Sequence, residues 1–170
     1  MMDIEEAIKM AIVYEMKVRD VYDDAARNAT DQVGSRVFQL LAKEEQYHLY
    51  YLEDRLAEWQ KQGKLSPEKL KTSIPSKKVI LQEVDKLEKK MSGPDRGQEL
   101  EMLRKALEVE KETSTFYRKM VDELTGQGKE MFARFVEIED GHLAIVEAEI
   151  DAVSGSGFWF DMQEFSLERE

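Results

Sequence analysis

The sequence predicts an all-α protein built as a four-helix bundle with a long crossover. Charged residues make up 36% of the 170 residues and hydrophobic residues 42%, while nine Gly and three Pro leave little material for turns. Apolar residues recur at spacings of three and four along four long segments, a pattern typical of helices that bury one face. A single domain of this length can bury a full core without disulfides.

The first predicted helix runs from Ile4 to about Asn28, and Thr30 or Asp31 can cap the helix that follows. Its apolar face is interrupted by Glu15, at a position where the pattern calls for a core residue. We therefore expect Glu15 to point into the core. The short turn makes the first two helices antiparallel neighbours.

The second predicted helix carries Glu45 and His48 on its apolar face and ends near Gly63. Glu15 and Glu45 are equally far from the turn near residue 30, about 22 Å at a rise of ~1.5 Å per residue. The hairpin therefore brings both acids to the same height in the core.

A long connection leads from the second helix to the third. Pro67 and Pro75 interrupt it, Ser66-Pro67 and Ser76 indicate the starts of short helical pieces, and residues 92–94 end the second piece. The connection is long enough to travel the ~38 Å of a bundle, which permits a crossover and a parallel placement of the second and third helices.

The third and fourth helices repeat the first two, with Thr125–Gly128 as their turn. The repeat rests on pairs at a nearly constant offset: 95 residues for Glu15 and Glu110 and for Tyr22 and Tyr117, and 94 for Glu45 and Glu139 and for His48 and His142. The bundle is predicted to occupy residues 1–153. Residues 154–170 form a short aromatic tail that we expect to pack on the bundle or on a neighbouring subunit.

These repeated residues predict a site for two metal ions. On a helix, residues three apart project from the same side, so each Glu-x-x-His offers an oxygen and a nitrogen to one point. Four ionised glutamates balance two divalent cations, and the histidines complete the ligands. The predicted ligands are Glu15, Glu45, His48, Glu110, Glu139 and His142.

Further polar residues have weaker functional interpretations. Tyr22 and Tyr117 are candidates for hydrogen bonds to ligand carboxylates across the bundle, although core tyrosines at helical spacing are common. Glu44 is a candidate for orienting an imidazole. The alternative for the whole set is an ordinary one, because surface Glu-x-x-His pairs are frequent in a chain with many glutamates.

Composition excludes several other functions. The chain has no cysteine, so disulfides, thiolate zinc sites and iron–sulfur clusters are ruled out. A net charge of −11 argues against binding to nucleic acid or to anionic membranes. The acidic N-terminus and the lack of a long apolar run predict a cytoplasmic protein without a membrane span.

With these residues in place, the sequence resembles the ferritin-like superfamily, and specifically the rubrerythrin-like diiron carboxylate proteins, over residues 3–153. The resemblance implies a non-haem diiron oxidoreductase linked to oxidative stress that reduces peroxide or dioxygen. Iron is the expected metal, and the donor set also accepts Mn or Zn. A homodimer is expected.

Two departures from the family pattern shape this expectation. Rubrerythrins usually carry a four-cysteine rubredoxin domain, so here the electrons must come from a separate, rubredoxin-like protein. Many also have an additional Glu three residues after the third-helix ligand, where this chain has Thr113. The resemblance then implies a more symmetric, bacterioferritin-like centre. The alternatives are a ferroxidase for iron storage or delivery, and a non-catalytic interaction bundle.

Overall fold

The structure is a computed structural model that describes residues 2–86 and 97–159. Its described residues form helices and no strands. The five helices are α1 (Ile4–Asn28), α2 (Gln32–Gln62), α3 (Lys77–Lys86), α4 (Gly97–Glu123) and α5 (Gly126–Ser156). The four long helices pack as two hairpins, α1 with α2 and α4 with α5, joined through α1 and α4. This confirms the predicted all-α bundle.

Local side-chain chemistry sets the ends of the first hairpin. Asp3 caps α1 by accepting a hydrogen bond from the Glu6 backbone at 2.8 Å, and Glu6 returns the interaction. Asp31 caps α2 through the Gly34 backbone at 3.0 Å. Gly63 ends α2 with φ of 65°, a left-handed conformation that suits glycine. The turn between α1 and α2 therefore lies near residue 30, where the sequence predicts it.

The connection from α2 to α4 contains one helix in its described part. A helical piece starts after Ser76, as predicted, and becomes α3. The prediction of a helical piece starting at Ser66-Pro67 is wrong, because no helix lies among the described residues between α2 and α3. Backbone groups of this segment bond elsewhere, because Tyr51 donates to the Glu68 carbonyl at 2.7 Å and Arg134 donates to the Leu70 carbonyl at 3.0 Å. The predicted stop at residues 92–94 lies outside the described residues.

The last helix runs three residues past the predicted end of the bundle at residue 153, and only the start of the predicted tail, up to Trp159, is described; its residues 160–170 lie outside the described part of the chain. Helix α5 continues to Ser156, and Gly157 ends it with φ of 78°. Trp159 then packs edge-on against Phe38 at a centroid distance of 5.3 Å and donates to Glu99 at 3.1 Å. A Cβ on Gly34 would come within 2.6 Å of this indole, so the glycine makes room for it.

Two apolar clusters fill the bundle, one on each side of a polar layer. Along α1, Ala11 belongs to one cluster and Val18 to the other, and Glu15 lies between them. Along α2, Leu41 and Leu52 likewise bracket the polar pair. Burying unpaired charges in such a core is costly, so this layer requires a compensating partner. No helix in the described ranges combines the length and apolarity needed to cross a membrane.

Candidate metal centre

The structure brings all six predicted ligands together in the polar layer. Each of the six side chains is 0% exposed. They converge because every one occupies a core position of its helix and because the paired acids lie equally far from their turns. The set comprises Glu15, Glu45, His48, Glu110, Glu139 and His142.

These side chains form two overlapping groups whose candidate ligand atoms lie within 4.8 Å of one another. Two carboxylates, Glu45 and Glu139, belong to both groups. The first group adds Glu15 and His48, and the second adds Glu110 and His142. Each group therefore contains three carboxylates and one imidazole, and each draws on both hairpins.

The same nitrogen of each histidine faces the carboxylates. His48 Nδ1 lies 3.4 Å from both Glu15 oxygens and 3.6 Å from Glu139 Oε1. His142 Nδ1 lies 2.9 Å from Glu45 Oε1 and 3.6 Å from Glu110 Oε1. The two rings stack at a centroid distance of 5.2 Å. Nδ1 is therefore the nitrogen that each histidine can offer to a cation.

The donor set fits a pair of divalent cations. Among the described residues, Glu45 Oε2, Glu110 Oε2 and both oxygens of Glu139 are buried without a hydrogen-bond partner. Buried carboxylate oxygens are normally hydrogen-bonded or ligate a metal. Hard oxygen atoms with imidazole nitrogens suit Fe, Mn and Zn. Each of the two groups therefore contains carboxylate oxygens that are not used by a hydrogen bond and can ligate a metal.

Burial and charge affect the two shared carboxylates in opposite directions. Burial, reinforced by the charges of Glu110 and Glu45, holds the pKa of Glu139 well above its usual range. Burial also acts to raise the pKa of Glu45, but interactions with His48 and His142 outweigh it and lower this pKa to about 2. Without metal, the layer therefore retains protons that a cation must displace.

Both predicted tyrosines donate hydrogen bonds to carboxylates of the opposite hairpin. Tyr22 of α1 donates to Glu110 Oε1 of α4 at 2.7 Å, and Tyr117 of α4 donates to Glu15 Oε1 of α1. Burial and then nearby glutamates raise the pKa of both phenols well above the usual value. The tyrosines stay protonated as donors and fix one oxygen of each carboxylate.

Glu44 contacts one imidazole and the crossover. Its Oε2 lies 3.7 Å from Nε2 of His142, across the bundle, and Glu44, His48 and His142 form a third buried group whose candidate ligand atoms lie within 4.8 Å of one another. It accepts hydrogen bonds from Thr72 Oγ1 at 2.7 Å, from the Ser73 backbone at 2.9 Å and from the Ser73 hydroxyl. Burial acts to raise the pKa of Glu44, but His142 and these hydroxyl groups lower it to about 2.

No sequence pattern indicated Thr72 and Ser73, which hold Glu44 in place. Short polar residues next to a proline in a connection usually form turns, so their pairing with a buried acid follows only from the fold. Thr113, by contrast, adds no ligand to the centre. It is buried, and its hydroxyl donates to the Val109 carbonyl at 2.8 Å within α4.

Comparisons with known proteins agree with this geometry. The family model described as Rubrerythrin matches residues 6–150, which is most of the chain. Neither the curated proteins nor the solved structures contain a significant match to it. The family match and the buried Glu and His groups together support a diiron-type carboxylate protein with a two-metal site.

Proposed function

Because this chain belongs to the rubrerythrin family, we propose that it is a non-haem diiron oxidoreductase. It reduces peroxide or dioxygen with electrons from a separate donor protein. The observation that carries the proposal is the pair of buried Glu and His groups whose remaining ligand atoms have no hydrogen-bond partner among the described residues. A purely structural core gains nothing from three carboxylates, Glu45, Glu110 and Glu139, whose buried oxygens lack such partners.

Each ligand has a distinct part in the proposed centre. Glu45 and Glu139, which belong to both groups, would be available to both metals, while Glu15 and Glu110 would each be available to one. His48 and His142 would each add Nδ1. Two bound iron ions would supply two electrons together to an oxidant.

The chain's own groups control protons and access around the metals. Tyr22 and Tyr117 keep Glu110 and Glu15 oriented through their hydrogen bonds. Glu44, whose Oε2 lies 3.7 Å from Nε2 of His142, favours the tautomer that carries the proton on Nε2 and leaves Nδ1 available to a metal. The apolar clusters above and below the layer exclude bulk water. These groups therefore preorganise the site before an oxidant arrives.

Anaerobic loading with ferrous iron tests the proposal directly. We expect two iron ions per chain and an oxidation by peroxide that is far faster than that of the same iron in buffer, followed by repeated turnover once a reductant is present. The matched control is the Glu139→Gln variant, which should lose both the iron and the fast oxidation. Oxidation of the loaded protein at the rate of free iron would overturn the redox function.

A second candidate, a ferroxidase that handles iron for storage or delivery, is favoured by Thr113. Because Thr113 stands where many rubrerythrins have an additional Glu, each half of the centre has an equal set of ligands, which favours the more symmetric, bacterioferritin-like centre expected from the sequence. Comparing the two oxidants separates the candidates. A centre that reacts faster with dioxygen than with peroxide, and releases its iron after oxidation, supports ferroxidase activity.

The third alternative is a non-catalytic interaction bundle that retains its acids without metal. Metal analysis of protein purified without chelators distinguishes it from the other two. Near-zero metal content, together with a melting temperature unchanged by Fe²⁺ or Mn²⁺, supports this alternative. A diiron protein should instead be stabilised by about 3 kcal/mol at a hundredfold excess of metal over its dissociation constant.

We also propose a homodimer that forms through the outer face of α1 and α2. Five large apolar side chains on this face are 40–67% exposed: Met10, Val13, Met16, Tyr47 and Tyr50. Exposed charges of both signs border this face, among them Glu6, Lys9, Lys43 and Asp54. A two-fold axis would bury the apolar side chains of one copy against those of the other.

Light scattering across a range of concentrations tests the dimer. The Val13→Asp and Tyr50→Asp double variant should be monomeric, whereas Leu81→Asp, which removes an exposed apolar side chain from α3, should leave the dimer intact. A wild-type protein that stays monomeric at every concentration would contradict this part of the proposal and leave the metal centre unaffected.

A further inference from the structure

The connection between α2 and α3 is strongly basic in an acidic protein. Residues 61–78 contain six lysines and one glutamate, a net charge of +5 in a chain of −11. All six lysines are exposed. We call this surface the basic strip: Lys61, Lys64, Lys69, Lys71, Lys77 and Lys78. The remaining residues carry −16, so the positive charge is concentrated on one segment.

The basic strip contacts the second shell of the metal centre. Ser73, an exposed residue of the strip segment, donates its hydroxyl to Glu44, whose other oxygen lies 3.7 Å from Nε2 of His142. Two residues therefore separate solvent from a ligand imidazole. Among the described residues, the ion pairs of His48 all involve its Nδ1, so Nε2 of His142 has the closer carboxylate.

Backbone packing and one arginine hold the strip against α5. The Pro75 carbonyl lies so close to Gly141, the neighbour of His142, that a Cβ there would approach it to 2.8 Å. Arg134 fixes the Leu70 carbonyl at 3.0 Å from the side of α5. The contacts leave the lysines at residues 69–78 on the solvent side, directly outside the Glu44 and His142 pair.

We propose that the basic strip is the docking surface for an acidic one-electron carrier protein. The carrier would deliver electrons to the centre through Ser73, Glu44 and His142. This inference rests on the proposed oxidoreductase function and specifies its partner. Peroxide and dioxygen are uncharged at neutral pH, so the lysines do not serve the oxidant. Complementary charge is instead what orients and accelerates protein docking.

The charge around the strip also selects the kind of partner. Within it only Glu68 is acidic, and Arg134 beneath it is paired with Glu137 at 3.1 Å. A small acidic protein can cover the strip alone. An extended polyanion such as DNA would also cross the surrounding negative surface and be repelled there.

The electron balance of the proposed cycle is simple. Two reduced carriers dock in turn, and each is oxidised by one electron. Peroxide accepts the two electrons and two protons, its O–O bond breaks, and two water molecules form. Each carrier leaves after losing its electron, because the next reduced carrier needs the same surface.

Binding to the zinc-loaded protein tests the docking surface independently of turnover. The probe is a purified acidic rubredoxin, and its dissociation constant is measured calorimetrically at low and at physiological ionic strength. The strip variant is Lys71→Glu with Lys78→Glu. The matched control is Lys105→Glu with Lys129→Glu, which changes the net charge equally at exposed positions outside the strip. Circular dichroism establishes that both variants are folded.

We expect the strip variant to weaken rubredoxin binding by about tenfold at low salt and the control to change it by less than about threefold. In the iron-loaded protein, the second-order rate of electron transfer from reduced rubredoxin should fall in parallel. Equal effects of the two variants would overturn the proposal, as would tighter binding of short duplex DNA or phosphatidylserine vesicles to the strip. Binding without peroxide turnover would retain the surface and reject only the proposed function.

Discussion

The two helical hairpins contribute equivalent ligands to the candidate metal centre but have different surroundings. Hairpin α1/α2 provides Glu15, Glu45 and His48, and hairpin α4/α5 provides the same three residue types at the same heights. The match extends to Tyr22 and Tyr117, each of which donates to a carboxylate of the other hairpin. It ends at Glu44, whose equivalent position is Ile138, and among the described residues Glu44 makes its 3.7 Å contact with Nε2 of His142. A two-metal site constrains its ligands equally, whereas their supporting residues depend on local packing.

The crossover explains most of this difference. It covers α5 at Gly141, while the equivalent position on α2, Tyr47, is 52% exposed. The Pro75 carbonyl leaves room only for glycine at position 141. The exposed position 47 can hold a large side chain. One hairpin is therefore buried by its own chain, and the other retains an open face.

Removing ligands should produce the largest effects and tests the equality of the two halves. Glu139→Gln should lower the metal content from two ions toward zero, because this carboxylate belongs to both groups. Glu15→Gln and Glu110→Gln should each lose one ion. Metal analysis after dialysis measures this stoichiometry, and Glu147→Gln on the exposed face of α5 is the control. Retention of both ions by Glu139→Gln would refute the shared position.

The tyrosines test whether the two halves depend on each other equally. Tyr22→Phe and Tyr117→Phe each remove a buried hydrogen bond to a carboxylate of the other hairpin. Each should lower the free energy of unfolding by about 1.5–3 kcal/mol. Urea denaturation of the metal-free protein measures the loss. Val121→Ala, on the same helix as Tyr117 but partly exposed, provides a control for general sensitivity of α4.

Substitutions at Gly141 and Tyr47 test whether the crossover covers α5 and leaves α2 exposed. Gly141→Ala should destabilise the protein by about 1–3 kcal/mol, because its Cβ meets the rigid Pro75 carbonyl. Tyr47→Ala should change the stability of the isolated chain by less than about 0.5 kcal/mol. Thermal melts under conditions that keep the chain monomeric make this comparison. Similar losses for both would show that the two faces are equally covered.

Glu44 tests the asymmetry between the imidazoles. Glu44→Gln keeps the size of the side chain but removes the charge near His142, so one of the two metals should bind about tenfold more weakly. Stepwise titration with Mn²⁺ resolves the two affinities. Equal weakening at both sites would mean that Glu44 acts through the fold as a whole.

The two shared carboxylates should make the stability of the metal-free protein depend on pH in opposite directions. The proton on Glu139 stabilises the metal-free fold fully below pH 4.5, and this contribution is lost as the pH rises through its elevated pKa. The contribution of Glu45 is present above pH 4.5 and is lost as the pH falls toward 2. Glu139→Gln should therefore remove the loss on the alkaline side, and Glu45→Gln the loss on the acidic side, in urea midpoints measured against pH.

Helical spacing was enough to predict the polar layer, because the heights of Glu15 and Glu45 follow from their distance to one short turn. Spacing could not identify the partner of Glu44. Its neighbour along the sequence is His48, but its contact is His142, which only the packing of the hairpins brings near. Likewise, Ser66-Pro67 signals a helix start, yet the carbonyls that follow bond to Tyr51 and Arg134 instead. Long-range contacts override local signals where a connection crosses the bundle.

The interleaving of the two hairpins at the centre bears on how the protein matures. Neither metal group is complete within one hairpin, since Glu139 of the second joins the group of Glu15 and His48. A nascent chain that has released only residues 1–62 from the ribosome thus presents three of the six ligands, and the tyrosine that steadies Glu15 has not yet been synthesised. We therefore expect metal insertion to follow the packing of hairpin α4/α5 on hairpin α1/α2, a late, long-range step of folding.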